Sequence, residues 1–184
     1  MASSPVFGAA HESSELRQAE IITNLTEYVF DPQNGEVEAS RHSYCVVLSQ
    51  DCDLLRDFDD QKAGKPSPLN GVLIFLARPA TDLRDLVKGS DIRKRIIQNN
   101  DERYHVIEAA PAEADALKEG VPALVIDFRR FFTMSAPTLY YQCGLENGAN
   151  RRCVLSTPYR EHLQSRLAFY LARVALPDPH KVSV

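Results

Sequence analysis

Two short, unbroken apolar runs limit what this chain can become. Tyr44 to Ser49 (YCVVLS) and Gly71 to Leu76 (GVLIFL) show no alternation of apolar and polar residues, so each reads as a strand covered on both faces. Such strands need packed layers above and below them. The first run ends abruptly in the polar stretch QDCDLLRDFDD, and the second follows the loop AGKPSPLNG, so the two are expected side by side in one sheet.

The rest of the pattern fits around that pair. From Glu20, EIITNLTEYVF mixes β-branched and aromatic residues ahead of a DPQNG turn and predicts a first strand. Thr81 can cap DLRDLVK, Gly89 interrupts it, and Ser90 can cap DIRKRIIQNN, with Ile92, Ile96 and Ile97 in one stripe and Lys88, Arg93, Lys94 and Arg95 facing out. RYHVIEAA and PALVIDFRRFFTM read as strands, with EADALKEG between them as a short helix or turn. TLYYQCGLENGANRRCVLS reads as a hairpin about Gly148 that sets Cys143 opposite Cys153. Thr157 and Pro158 then start a last helix whose Leu163, Leu167, Tyr170, Leu171 and Val174 form one stripe ending before Pro177.

Residues 1–18, rich in Ser and Ala without an apolar period, predict a flexible leader, and 19–184 a single domain. At 184 residues, 44% of them hydrophobic, the chain can bury one sizeable core. Mostly consecutive strands with few crossover helices predict an α+β fold, a small antiparallel barrel with packed helices and a long C-terminal helix.

A formal net charge of -4 argues against a uniformly basic surface, so any contact with nucleic acid needs a local basic patch. No apolar run approaches the roughly 20 residues of a membrane span, and the start MASSPVFGAAHESSE lacks the two regions of a signal peptide. A cytoplasmic protein with no membrane association is expected. Cys45, Cys52, Cys143 and Cys153 form no CxxC pair, so reduced thiols, no metal site and no cofactor are expected.

Candidate chemistry gathers at a strand end and on a later strand. Ser49, Asp51, Cys52 and Asp53 follow directly from the first buried run, where a rigid support would hold functional groups. The flanking carboxylates disfavour a reactive Cys52 thiolate. Structural turn contacts are the plainer reading and ligand binding the sharper one. Arg129 and Arg130 flank Asp127 on a strand, so alternation sends them to opposite faces and calls for an acidic partner, Asp51 or Asp53, on the interior side. Arg151, Arg152, Arg160, Arg166 and Arg173 could form a basic face, with Tyr140, Tyr141 and Tyr159 to stack bases. A solvated helix face and packed aromatics are the plainer reading.

The strings SYCVVLSQDCDL, NNDERYH, LVIDFRRFF and RRCVLSTPYREHLQSRLAFYLARVALP, within roughly residues 18 to 177, resemble a group of bacterial proteins whose core is similar to the SH3-like barrel of the PemK/MazF toxin superfamily. The chain departs from the catalytic pattern of those toxins. Ser43 and Tyr44 stand where they carry Arg-Pro, with Arg41 and His42 displaced, and the second buried strand runs into Ala77, Arg78, Pro79, Ala80 and Thr81. The resemblance implies a non-catalytic, toxin-like barrel that binds RNA, DNA or a protein partner, including a second copy of itself, in a mobile-element or phage-defence setting. Its rivals are a PemK/MazF-type endoribonuclease using Arg41 or Arg78 with Asp51 or Asp53, and a pure interaction module. Ser49, Asp51, Cys52, Asp53, Arg78, Arg129 and Arg130 are the expected binding residues.

Overall fold

The expected pair of buried strands forms the centre of the sheet. In the computed structural model, which describes residues 6–10 and 14–172, Tyr44 to Val47 at the end of β3 (Glu36–Val47) pair antiparallel with Ile74 to Ala77 of β4 (Val72–Pro79). Around them lie β1 (Phe7–Ala9), β2 (Glu20–Asp31), β5 (Tyr104–Ile107), β6 (Leu124–Met134) and β7 (Asn150–Leu155), all antiparallel in the order β1-β7-β2-β3-β4-β6-β5. Five α-helices accompany them: α1 (Asp51–Lys62), α2 (Leu83–Leu86), α3 (Ser90–Ile97), α4 (Ala136–Cys143) and α5 (Tyr159–Leu171). The fold is α+β. No helix among the described residues is long and apolar enough to cross a membrane.

Covering layers on both faces explain the unbroken apolar runs. On one face Ile21, Val46, Phe75, Phe128 and Leu155 meet Leu163 and Leu167 of α5. On the other, Ile22, Cys45, Val47 and Ile74 meet Leu54 of α1 and Leu139 of α4. A third cluster joins Leu83 and Val87 of the α2 region and Ile96 of α3 to Tyr104 and Val125. Each fully buried aliphatic or aromatic side chain of this kind stabilises the fold by roughly 1.5–3 kcal/mol relative to exposure.

Several expectations are corrected. The stretch after Ser49 is not a loop but α1, with Gln50 at its N-cap and Asp51 and Asp53 in a first turn whose partial positive charge they complement. The expected hairpin about Gly148 is a helix followed by a strand: Ser135 accepts the Thr138 N–H and starts α4, and β7 pairs with β1 and β2 instead. Gly148 serves the link between them, because a Cβ there would lie 2.0 Å from the Gln142 carbonyl oxygen. Within the segment read as a leader, Phe7–Ala9 forms an edge strand and Leu16 is fully buried. Of the α3 stripe only Ile96 is buried, and on α5 Leu171 is exposed while Val174 lies outside the described residues.

The sheet is open, with β1 and β5 each paired on one side only. The loop after β5 spans the gap, since the Ala116 N–H donates to the Arg152 carbonyl at 2.9 Å. At the other extreme, β2 outruns β7 after Thr23 and β3 lacks β4 before Tyr44, so residues 24–43 project as a two-stranded ribbon. Its register puts Tyr28, Phe30, Val37 and Ala39 on one face and Glu27, Asp31, Glu36 and Glu38 on the other. The three large apolar side chains of the first face are 60–64% exposed.

Candidate functional site

A break in strand pairing creates a strongly basic recess. Between Phe75↔Phe131 and Ala77↔Ile126 the chain takes two steps along β4 but five along β6, so β6 bulges over Asp127 to Arg130. Phe128 turns inward, fully buried and edge-on to Phe75 at 6.0 Å. Arg129 and Arg130 both turn outward, which is why the alternation expected from the sequence fails and neither needs an interior partner.

The bulge borders a cleft of about 190 Å³. Arg78 of β4, Arg103 just before β5, and Arg129 and Arg130 of β6 bring four guanidiniums to it, against one carboxylate, Asp127. Arg103 grips Asp127 through two nitrogens, its Nε at 2.9 Å, and Arg129 Nε lies 3.4 Å from the same group. The side chains of Arg78 and Arg130 make no hydrogen bond or ion pair among the described residues. Leu76, Leu86 and Val125 supply apolar wall, and the Arg103 guanidinium lies over the Tyr104 ring at 4.5 Å from its centroid. Burial raises the Tyr104 hydroxyl above its ordinary pKa.

The other expected site residues are elsewhere and have structural partners. Ser49 Oγ accepts the Leu73 N–H at 2.9 Å, binding β4 to the end of β3. Asp51 accepts the Gln18 N–H at 2.6 Å, Arg17 Nε at 3.3 Å and an Arg160 nitrogen at 2.5 Å, so it joins the N-terminal segment and α5 to the start of α1. Cys52 and Asp53 are exposed on α1, and the expected pairing of Asp51 or Asp53 with Arg129 or Arg130 is not formed. Thus Arg78, Arg129 and Arg130 come together, whereas Ser49, Asp51, Cys52 and Asp53 do not join them.

No protein-family model matches the chain, and no curated protein matches it.

The expected basic face of the C-terminal region is also redistributed. Arg151 is buried against Glu20, with further bonds to the Ser14 and Glu15 carbonyls at 2.7 Å. Arg152 is buried against Asp115, and Arg166 donates to the carbonyls of Asn99, Asp101 and Tyr104. Arg173 lies outside the described residues. Tyr140 packs inside and accepts the Leu16 N–H at 3.0 Å, while Tyr141 is exposed. Among the described residues no group of three or more His, Cys, Asp or Glu is placed to hold a metal ion, and none of the four cysteines is in a disulfide. Sequence reasoning missed Arg103; its only signal was a cation directly before a strand, and Asp127, which it grips, is paired with its neighbour Tyr104.

Proposed function

We propose that the arginine cleft binds the backbone of single-stranded nucleic acid without cleaving it. The observation that carries this reading is Arg78 and Arg130, two guanidiniums with no acidic partner among the described residues, beside a third and fourth, on a chain with net charge -4. Like charges gathered this way repel one another in the free protein, and a phosphate relieves that repulsion while releasing counterions. Apolar wall and the Arg103–Tyr104 stack suit bases that are free to leave a helix. A duplex fits poorly, because the element that projects from the sheet among the described residues is a ribbon carrying Glu27, Asp31, Glu36 and Glu38.

Binding without chemistry follows from the cleft's own groups. Asp127 is occupied by Arg103 and Arg129, and Tyr104 holds its proton more tightly than usual, so neither is poised as a general base. The endoribonuclease alternative would use Arg41 or Arg78 with Asp51 or Asp53; Arg41 donates to the Asn147 carbonyl and Asp51 is held by Arg17 and Arg160. As to ancestry, we read the two-faced sheet, its ends spanned by the loop after β5, as an opened relative of the SH3-like barrel of the PemK/MazF group. A protein-interaction role, with a second copy or another protein, draws instead on the apolar face of the ribbon.

Fluorescence anisotropy with labelled single-stranded RNA and DNA of mixed sequence tests the proposal. Native protein is expected to bind with an affinity that falls as salt rises. Arg78→Ala with Arg130→Ala should weaken binding about uniformly across sequences and lower the salt slope by roughly two contacts. Unchanged binding in that double variant would refute the cleft as the interface.

A further inference from the structure

We propose that a second recess, on the opposite side of β5 from the arginine cleft, is a pocket for a nucleobase. It measures about 320 Å³ and opens where the two free ends of the sheet face each other. Val6, next to β1, and Leu155 of β7 form one wall, Val106 and Ile107 of β5 the other, and α5 closes it with Tyr159 and His162. Tyr104 and His105 are successive strand residues and so point to opposite faces, Tyr104 to the arginine cleft and His105 to this cavity.

His105 is what makes the cavity more than a gap. The residue is only 4% exposed, and among the described residues its Nδ1 is buried with no hydrogen-bond partner, although buried polar atoms nearly always find one. Burial first, then the nearby Arg166 and His162, lower its pKa to about 3, so the ring is neutral. The His162 ring stands edge-on to it, 5.4 Å between centroids. His105 lines the cavity, and because its Nδ1 is closed even to water, a guest meets the ring at its other edge.

The lining selects the chemistry of that ligand. His105 is neutral, no Lys or Arg is among the lining residues, and Glu108 is the one carboxylate among them, so the lining itself does not ask for an anionic guest. Aliphatic walls and the Tyr159 and His162 rings favour a flat apolar body, while a neutral imidazole asks for an edge bearing hydrogen-bond donors and acceptors. A nucleobase combines both, and whichever His105 tautomer is present finds its complement on such an edge. The volume sits at the low end of the roughly 300–1,000 Å³ of small-molecule sites. The base can come from a free nucleoside or from a strand crossing the β5 edge out of the arginine cleft; only the second source rests on the function proposed above.

Amide chemical-shift titration of the full chain with cytidine, uridine, adenosine and guanosine separates the pocket from the cleft, because nucleosides carry no phosphate. At least one is expected to shift the amides of Val106, Ile107, Tyr159 and His162. His105→Phe, which keeps a ring against Phe128 but removes its nitrogens, should weaken that binding about tenfold. Ile97→Trp, placed at an exposed rim position that need not affect folding, should block it. Anisotropy with a short oligonucleotide then distinguishes the sources: loss in His105→Phe assigns the base to the strand, and nucleoside binding with no oligonucleotide binding assigns it to a free nucleoside. No shift by any nucleoside, together with undiminished oligonucleotide binding in both variants, would overturn the pocket and leave the cleft standing. Equal nucleoside affinity in native and His105→Phe proteins would overturn it as well.

Discussion

Arg152 on β7 and Asp115 in the loop after β5 form a two-pronged ion pair, at 2.7 and 2.6 Å, that fastens together the two ends of an open sheet. Asp115 is fully buried and also accepts the N–H groups of Glu119 and Gly120 at 3.1 and 2.9 Å. Removing one member strands a charge in the interior. Asp115→Ala is therefore expected to cost about 3–5 kcal/mol in urea denaturation, and Arg152→Met added to Asp115→Leu should recover only the part owed to the stranded charge, since the Glu119 and Gly120 N–H groups still lose their acceptor. The Arg152 hydrogen bonds hold the Asp115 carboxyl below its ordinary pKa of 3.8, so its contribution is complete at neutral pH and is lost as pH falls below that value.

His105 works in the same direction over a higher range. Its pKa falls from 6.5 to about 3 on folding, chiefly through burial. Above pH 6.5 both states hold a neutral ring and the residue contributes no pH dependence. Below it the unfolded chain takes up a proton that the fold refuses, so stability drops with acidification by up to about 1.4 kcal/mol per pH unit. Denaturation midpoints measured from pH 7 to 5 should show this slope in native protein and a shallower one in His105→Phe.

Thiol labelling should separate Cys45 and Cys153 from Cys52. Burial pushes Cys45 and Cys153 up to about 12, and both lie within the sheet, so they are expected to react with a disulfide reagent only on unfolding. Cys52, exposed on α1, should react in the native protein without unusual speed. Rapid native labelling of Cys45 or Cys153 would contradict the packing of both faces.

Asp127 is the only acidic group lining the arginine cleft, and its removal gives a gain-of-function test. Asp127→Ala frees Arg103 and Arg129 and should tighten single-strand binding and steepen its salt dependence, at a stability cost of about 1 kcal/mol for the lost, partly exposed pair. Weaker binding with intact folding would show that the cleft needs Arg103 held in place more than it needs the added charge.

The central strands were legible because complete burial writes itself as an unbroken apolar run, as in Val46–Val47 and Ile74–Phe75. Helix α1 was not, because it buries only Leu54 and Asp57 and leaves Leu55 exposed, so its sequence shows no clear apolar stripe. Helix α4 carries Leu139, Tyr140 and Tyr141 in strand-like succession, although Ser135 followed by Pro137 marked its start. Arg151 and Arg152 looked like surface charge since their partners, Glu20 and Asp115, are distant in sequence. The cleft depends on a strand bulge, and nothing in LVIDFRRFF announces where pairing will slip.

The projecting ribbon has only one layer, so most of what holds its outer half is its own ladder, with cross-strand pairs worth about 0.2–1 kcal/mol each. Gln142 braces its base, bonding both the N–H and the carbonyl of Thr26. Past that clamp the hairpin has little but its own pairing to hold it, so its outer end is the part of the described sheet expected to open first, at small cost to the layers behind it.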